Sequence, residues 1–285
     1  MDRFSGLFAA SVTPVRHDLR CDFDALAEHC KDLLARSCQG VVLFGSTGEG
    51  PSFTLRERKE ALEQVIRLGV DPAKIIVGTT FAALEDAIEL ANYSVLMGTL
   101  AILSAPPFYY KKVPSEGIIS FYREMLKRTK AQVILYHIPQ YSNAPLSFSI
   151  VERLYKEFPE AIVGMKESEG NLEFTKELLQ KLPNLHLFIG NELQIFEAHA
   201  LGAKGAISGL ANCFPEKIAS QFQKSDNSIA ALRALLADFP IFPAIKNIVA
   251  QQKGARFELM RPPVMALSES EAKKLQSALE RWKLS

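Results

Sequence analysis

The stretch Ala161-Ile162-Val163-Gly164-Met165-Lys166-Glu167-Ser168 is an apolar run that ends, with no turn residue, in a lysine. Read as a strand, its period of two places Ile162, Gly164 and Lys166 on one face and Ala161, Val163 and Met165 on the other. Lys166 then stands at the carboxyl end of a buried strand, with Gly164 leaving room beneath it. An ammonium held against apolar walls loses hydration, so its pKa falls toward neutrality and the free amine can attack a ketone to form a Schiff base. The plain alternative is a lysine that marks where a strand reaches water.

Other strand ends carry groups that could serve such an amine. Tyr136-His137-Ile138-Pro139 closes an apolar run in which Tyr136 shares a face with Ile134, so its hydroxyl can relay protons while His137 turns outward to a packing or surface role. Gly45-Ser46-Thr47-Gly48-Glu49-Gly50 sets two hydroxyls among glycines, which lets backbone amides turn inward and suits a small carboxylate; a plain glycine turn is the alternative. The run lacks the G-x-x-x-x-G-K pattern, and Glu49 would repel a phosphate. Ala105-Pro106-Pro107-Phe108-Tyr109-Tyr110 offers two phenols as a hydrogen-bonding wall or as interface packing. Gly190-Asn191-Glu192 could touch a polar substrate tail or simply start a helix, and Ser208 ends a further run.

The elements that must position these groups alternate regularly. Strand-like runs fall at Leu7–Val12, Gly40–Phe44, Lys74–Gly78, Thr99–Leu103, Gln132–Tyr136, Ala161–Lys166, Leu185–Ile189 and Gly205–Ser208. Helical patterns separate them at Phe23–Arg36, Leu55–Leu68, Leu84–Met97, Ile118–Arg128, Phe148–Glu157, Glu173–Lys181 and Glu192–Leu201. Thr54 with Glu57, and Ser268 with Glu271, read as capping boxes; Gly69, Gly98 and Gly202 fall where helix ends favour positive φ. Eight strands alternating with helices favour an α/β class fold, a (β/α)8 TIM barrel, over an open doubly wound sheet. After Ser208 only helices are expected, at Pro215–Gln223, Ser228–Asp238, Pro243–Gln252 and Glu269–Trp282. The expected division is a barrel carrying the active site over residues 1–224 and a small C-terminal helical appendage over residues 225–285.

The 285 residues carry 33 basic and 32 acidic side chains, spread along the chain, with 48% hydrophobic residues. That balance gives no nucleic-acid or membrane footprint and points to a small-molecule partner. No run approaches 18 apolar residues and the amino terminus has no leader pattern, so a cytoplasmic location is expected. Cys21, Cys30, Cys38 and Cys213 have no C-x-x-C spacing and read as buried or reduced thiols rather than disulfides or zinc ligands; the five histidines show no metal-ligand spacing.

Gly45-Ser46-Thr47-Gly48-Glu49, Tyr136-x-Ile138-Pro139, Gly164-x-Lys166-Glu167-Ser168 and Arg261-Pro262-Pro263 together resemble the dihydrodipicolinate synthase and N-acetylneuraminate lyase family, in order and spacing, from about Gly6 to the carboxyl end. The resemblance implies a class I aldolase or lyase with no cofactor beyond a covalent imine between Lys166 and pyruvate or a 2-keto acid. It implies Tyr136 as proton shuttle, Thr47 with nearby backbone amides as carboxylate holder, and Ser46 as a link from Tyr136 to a phenol of a neighbouring subunit. That phenol is Tyr109 or Tyr110, with Tyr109 favoured by its spacing from Pro107. Gly48, Ser168, Gly190, Glu192, Ser208 and Tyr110 complete the expected substrate contacts, and a homotetramer built from dimers is implied.

The chain departs from its relatives' pattern in informative places. Dihydrodipicolinate synthases usually carry an arginine where Tyr141 stands, and its loss removes a charge-assisted contact worth roughly 1.5–3 kcal/mol to aspartate semialdehyde. Asn143 also replaces a frequent glycine. N-acetylneuraminate lyases usually carry an aspartate at Asn191 and a serine at Gly209. The preferred substrate is therefore a 2-keto-3-deoxy sugar acid or related 2-keto acid. Dihydrodipicolinate synthase, N-acetylneuraminate lyase and a non-catalytic pyruvate sensor are the alternatives.

Overall fold

The computed structural model describes residues 2–284. Eight parallel strands, β1 (Gly6–Ala10), β2 (Gly40–Leu43), β3 (Ile75–Gly78), β4 (Ala101–Ser104), β5 (Val133–His137), β6 (Ile162–Glu167), β7 (His186–Ile189) and β8 (Gly205–Ser208), pair in sequence order and close with β1 against β8. This is the expected TIM barrel. Helices α1 (Phe23–Ala35), α2 (Leu55–Arg67), α3 (Leu84–Leu96) and α4 (Ser115–Arg128) follow the first four strands. A short α5 (Pro139–Ser142), not foreseen in the sequence, precedes α6 (Phe148–Glu157). Then come α7 (Leu172–Lys181), α8 (Ile195–Ala200), α9 (Pro215–Ala219), α10 (Asn227–Leu236), α11 (Ile241–Lys253) and α12 (Glu269–Leu284).

Alternation along the strands divides the core in two. Leu7, Ala9, Val41 and Leu43 face the helical layer, whereas Phe8, Ala10, Val42 and Ile134 fill the barrel. Phe8 and Phe188 meet edge to face at 5.5 Å on the barrel floor. Space for them comes from missing side chains: a Cβ on Gly40 would come within 2.7 Å of the Phe8 ring, and one on Gly205 within 2.6 Å of the Phe188 ring.

Local signals end the helices where expected. Thr54 and Glu57 form both halves of a capping box, Ser268 and Glu271 do the same, and Gly69, Gly98 and Gly202 take φ of +92°, +74° and +113°. The expected helices Glu192–Leu201 and Pro215–Gln223 are each divided: 3-10 turns at Glu192–Gln194 and Ser220–Phe222 leave only Ile195–Ala200 and Pro215–Ala219 as α-helix. Asn191 accepts from the Leu193 amide and so favours a tight turn over a full α-helical start.

The face assignment on β6 needs one correction. Ile162 pairs with Val133 but Gly164 pairs with Ile134, so Val163 is an extra residue in a β-bulge. An inserted residue flips the phase of alternation. Ile162 therefore packs in the outer layer, Val163 against the interior, while Gly164 and Lys166 keep the inward face.

The helices after β8 pack back onto the start of the chain. Arg256 reaches Asp22 and Glu28, and Lys253 donates to Asp32 and to His29 Nδ1. All four cysteines are free and buried, and burial pushes the thiols of Cys21, Cys30 and Cys38 up to about 12. Among the described residues no single helix is long and apolar enough to cross a membrane.

Candidate active site

A cavity of about 430 Å³ opens at the carboxyl ends of the strands. Lys166 lies on its wall, 6% exposed, directed inward by its pairing with Tyr136 beyond the β6 bulge. Gly164 beneath it is obligatory for space: a Cβ there would come within 2.6 Å of the His186 carbonyl and 3.0 Å of the Phe188 ring. Tyr136 pairs directly with Lys166 across the β5/β6 ladder. Lys166 Nζ donates to Tyr136 Oη at 3.4 Å, and Tyr136 Oη lies 3.4 Å from Ser46 Oγ. The amine also sits 4.5 Å from the Tyr136 ring centroid, and among the described residues no carboxylate pairs with it.

Ser46 and Thr47 reach the cavity from the turn after β2, beside Lys166 and Tyr136. Gly48 does not line it. Its missing side chain instead lets the turn pass the Ser11 carbonyl, which a Cβ would approach to 2.6 Å, and its own carbonyl accepts from Thr13 Oγ1 at 2.8 Å. Gly209 faces Thr47: a Cβ there would stand 3.0 Å from Thr47 Oγ1, so the absence of serine at this position keeps that hydroxyl uncrowded.

Ser168, Gly190 and Glu192 line the opposite side. Gly190 makes room for Ser168, whose Oγ would lie 2.2 Å from an added Cβ. Ser208 does not line the cavity; it donates to Glu192 Oε1 at 2.6 Å. Glu192 is 2% exposed, and its Oε2 has no hydrogen-bond partner among the described residues.

Tyr109 and Tyr110 are not brought to this cavity within one chain. They stand 72% and 70% exposed, packed edge to face on each other at 5.3 Å. Glu49 is also placed differently from expectation: it is buried, paired with Lys246, and does not line the cavity.

One cation was missed in the sequence. Arg233 of α10 lines the cavity, its Nη1 3.7 Å from Glu192 Oε2. The mouth therefore has a positive group although Tyr141 offers no cation; Tyr141 packs on Phe242 at 5.5 Å between ring centroids. Nothing in the helical periodicity of Asn227–Leu236 distinguishes Arg233 from a solvated surface arginine. Leu236, Phe239, Ile241, Phe242 and Ile245 give the mouth an apolar wall from the same C-terminal segment.

His137 turns outward, as alternation requires. Its Nδ1 accepts from the Leu146 amide at 3.1 Å, so Nε2 carries the proton toward Glu169 Oε2, also at 3.1 Å. Burial lowers its pKa despite Glu169. His137, Glu167 and Glu169 bring ligand atoms within 4.8 Å of one another, but Glu167 already accepts from the amides of Glu169 and Gly170. That cluster is a hydrogen-bonded support beneath the strand ends.

The barrel thus encloses a strand-end lysine, a phenol on the neighbouring strand and a hydroxyl pair opposite, and the class of protein it defines is a lyase. A model of the Dihydrodipicolinate synthetase family matches residues 3–282, and the chain belongs to this family. A DapA-like lyase of Chloroflexus aurantiacus is 32% identical, over 97% of this chain and 96% of that protein. The 4-hydroxy-tetrahydrodipicolinate synthase of Staphylococcus saprophyticus is 29% identical, over 99% and 97%. Among solved structures, dihydrodipicolinate synthase from Agrobacterium tumefaciens superposes with a TM-score of 0.94 at 32% identity, covering 97% of this chain and 99% of that one. A Sulfolobus solfataricus 2-keto-3-deoxygluconate aldolase variant shares the fold, with a TM-score of 0.86 at 21% identity over 98% and 96%.

Proposed function

We propose that this lyase forms a Schiff base between Lys166 and the ketone of pyruvate or a 2-keto acid, and makes or breaks the bond between C3 and C4 of that acid. The observation that carries the reading is the line of three groups, Lys166 Nζ, Tyr136 Oη and Ser46 Oγ, at successive distances of 3.4 Å inside the cavity. The Lys166 nitrogen adds to the carbonyl carbon, Tyr136 passes protons to the departing oxygen, and water leaves as the imine forms. The protonated imine then draws the C3–C4 bonding pair toward itself. In cleavage the C4 hydroxyl loses its proton, the aldehyde departs, and the remaining enamine takes a proton at C3. Water then releases pyruvate. Thr47 and the amides of its turn hold the carboxylate, and Ser46 connects Tyr136 to Tyr109 of a second subunit in a homotetramer. The exposed Tyr109 and Tyr110 pair suits burial at such an interface.

The test is incubation with pyruvate and borohydride. A stable adduct on Lys166 is expected. No mass shift, or a shift retained in Lys166→Ala, rejects the reading.

For the remainder of the substrate we prefer a 2-keto-3-deoxy sugar acid or related 2-keto acid, with Glu192 and Ser168 taking hydroxyls. Arg233 favours a second reading, 4-hydroxy-tetrahydrodipicolinate synthesis, because it offers aspartate semialdehyde a cation from a different element than the one expected. The synthases among the relatives support the same reading. A panel of 2-keto acids assayed for pyruvate release, beside a coupled assay with aspartate semialdehyde, separates the two.

A further inference from the structure

The turn that carries Ser46 and Thr47 is fastened from below by charged groups with no place in the chemistry. Glu49, three residues after Ser46, takes φ of +55°, a left-handed conformation uncommon for a residue with a side chain. Its carboxylate is shut inside the protein. Oε1 accepts from Lys246 Nζ at 2.5 Å, both side chains being 1% exposed, and Oε2 accepts from the Arg261 amide at 2.7 Å. The Glu49 amide itself donates back to the Ser46 carbonyl at 3.1 Å, so the fixed carboxylate and the first hydroxyl of the turn belong to one short rigid loop.

Lys246 comes from α11, and Arg261 from the segment beyond it. Arg261 extends the fastening: Nη1 donates to the Ser52 carbonyl at 2.9 Å and its fork reaches Glu57 at the start of α2. The C-terminal region thus grips the turn after β2 at Glu49 and Ser52, and the start of α2 at Glu57. A buried ion pair contributes little net stability compared with an apolar pair of the same shape, whereas its directional bonds select one geometry. Lys246 lines no part of the cavity, so it is not a second nucleophile.

We propose that Lys246 is a positioning residue for pyruvate: through Glu49 it holds the Ser46–Thr47 turn where Thr47 and the turn amides can receive the substrate carboxylate. This rests on the Schiff-base reading and extends it to the helices after the barrel. Losing the pair lets the turn relax away from its left-handed Glu49, and misplacement of a binding group by a fraction of an ångström is felt mainly as weaker capture of substrate.

The experiment titrates pyruvate against the rate of borohydride-trapped adduct on Lys166 in the full chain, for the wild type, Lys246→Met, Glu49→Gln and the double variant. Each single substitution is expected to raise half-saturating pyruvate about tenfold while the limiting trapping rate stays within about twofold, a split that general loosening would not produce. The double variant is expected to be no worse than the poorer single, because both act through one contact. Should Lys246→Met fail to fold, Glu49→Gln reads the same contact from the other side. Half-saturation unchanged in the folded variants, or a double variant whose effect is the product of the singles, overturns the proposal and leaves the Schiff base standing. No adduct on the wild type overturns both.

Discussion

Tyr136 and Lys166 are register partners on adjacent parallel strands, and their side chains meet inside the barrel with Oη and Nζ 3.4 Å apart. Neither can shift along its strand without breaking the ladder, so the phenol is aimed at the amine by backbone pairing.

Tyr136→Phe keeps the ring over Lys166 and removes only the hydroxyl. Adduct formation and 2-keto acid cleavage should both slow by roughly 10²–10⁴-fold, the usual contribution of a positioned proton donor. Single-turnover trapping with pyruvate checks this, and a rate within a few-fold of wild type would show that another group carries the proton.

Gly164→Ala places a Cβ where the His186 carbonyl and the Phe188 ring already stand. Overpacking of this kind costs about 1–3 kcal/mol. Urea denaturation should show the loss, and the adduct yield on Lys166 should fall with it because the strand must move directly beneath the amine.

Arg58 is buried yet pairs with no carboxylate at hydrogen-bond distance among the described residues. Its guanidinium donates to the carbonyls of Phe53, Gly78, Gly50 and Thr80 and lies 3.9 Å over the Phe81 ring. Desolvation pushes its pKa down to about 9. Arg58→Lys cannot span four carbonyls with one ammonium. A loss of about 2–4 kcal/mol is expected from the unpaired carbonyls, measured as a lowered denaturation midpoint.

His29 gives stability a pH dependence of known sign. Its Nε2 lies 2.8 Å from Asn212 Oδ1, and Nδ1 accepts from Lys253, which also pairs with Asp32. Burial, then the Lys253 charge, holds the imidazole at about 4, against 6.5 for a free histidine. The unfolded chain takes up a proton that the folded chain refuses, so this contribution is complete above pH 6.5 and drains away as pH falls toward 4. The total is about 3 kcal/mol. His29→Gln should flatten the fall in urea midpoint between pH 6.5 and 5, and an unchanged slope would count against it.

On the second reading, with aspartate semialdehyde as the aldehyde, Arg233→Gln should selectively weaken this carboxylate-bearing partner. A drop of roughly 10–100-fold in kcat/KM for aspartate semialdehyde is expected from loss of a charge-assisted contact. Half-saturating pyruvate in adduct trapping should stay put, since the charged partner of Arg233 is Glu192 rather than a group of the Ser46–Thr47 turn. Equal losses for both substrates would remove Arg233 from recognition.

Local pattern was enough for the eight alternating units, for both capping boxes, and for the lysine and tyrosine on inward strand faces. Each is written in a period or a spacing over a few neighbouring residues. The exact phase of β6 was not, because an inserted residue in one strand is visible only against its partner: Val163 is extra with respect to Val133 and Ile134. Distances in sequence decided what else was hidden. Glu49 meets Lys246 across 197 residues, and Arg233 faces Glu192 from a helix whose own pattern marks it as surface. An arginine's surroundings and a carboxylate's burial are properties of the packed chain. Strand periodicity determined that an amine would enter the barrel, while tertiary packing alone decided which charges close over it and which hold the turn that faces it.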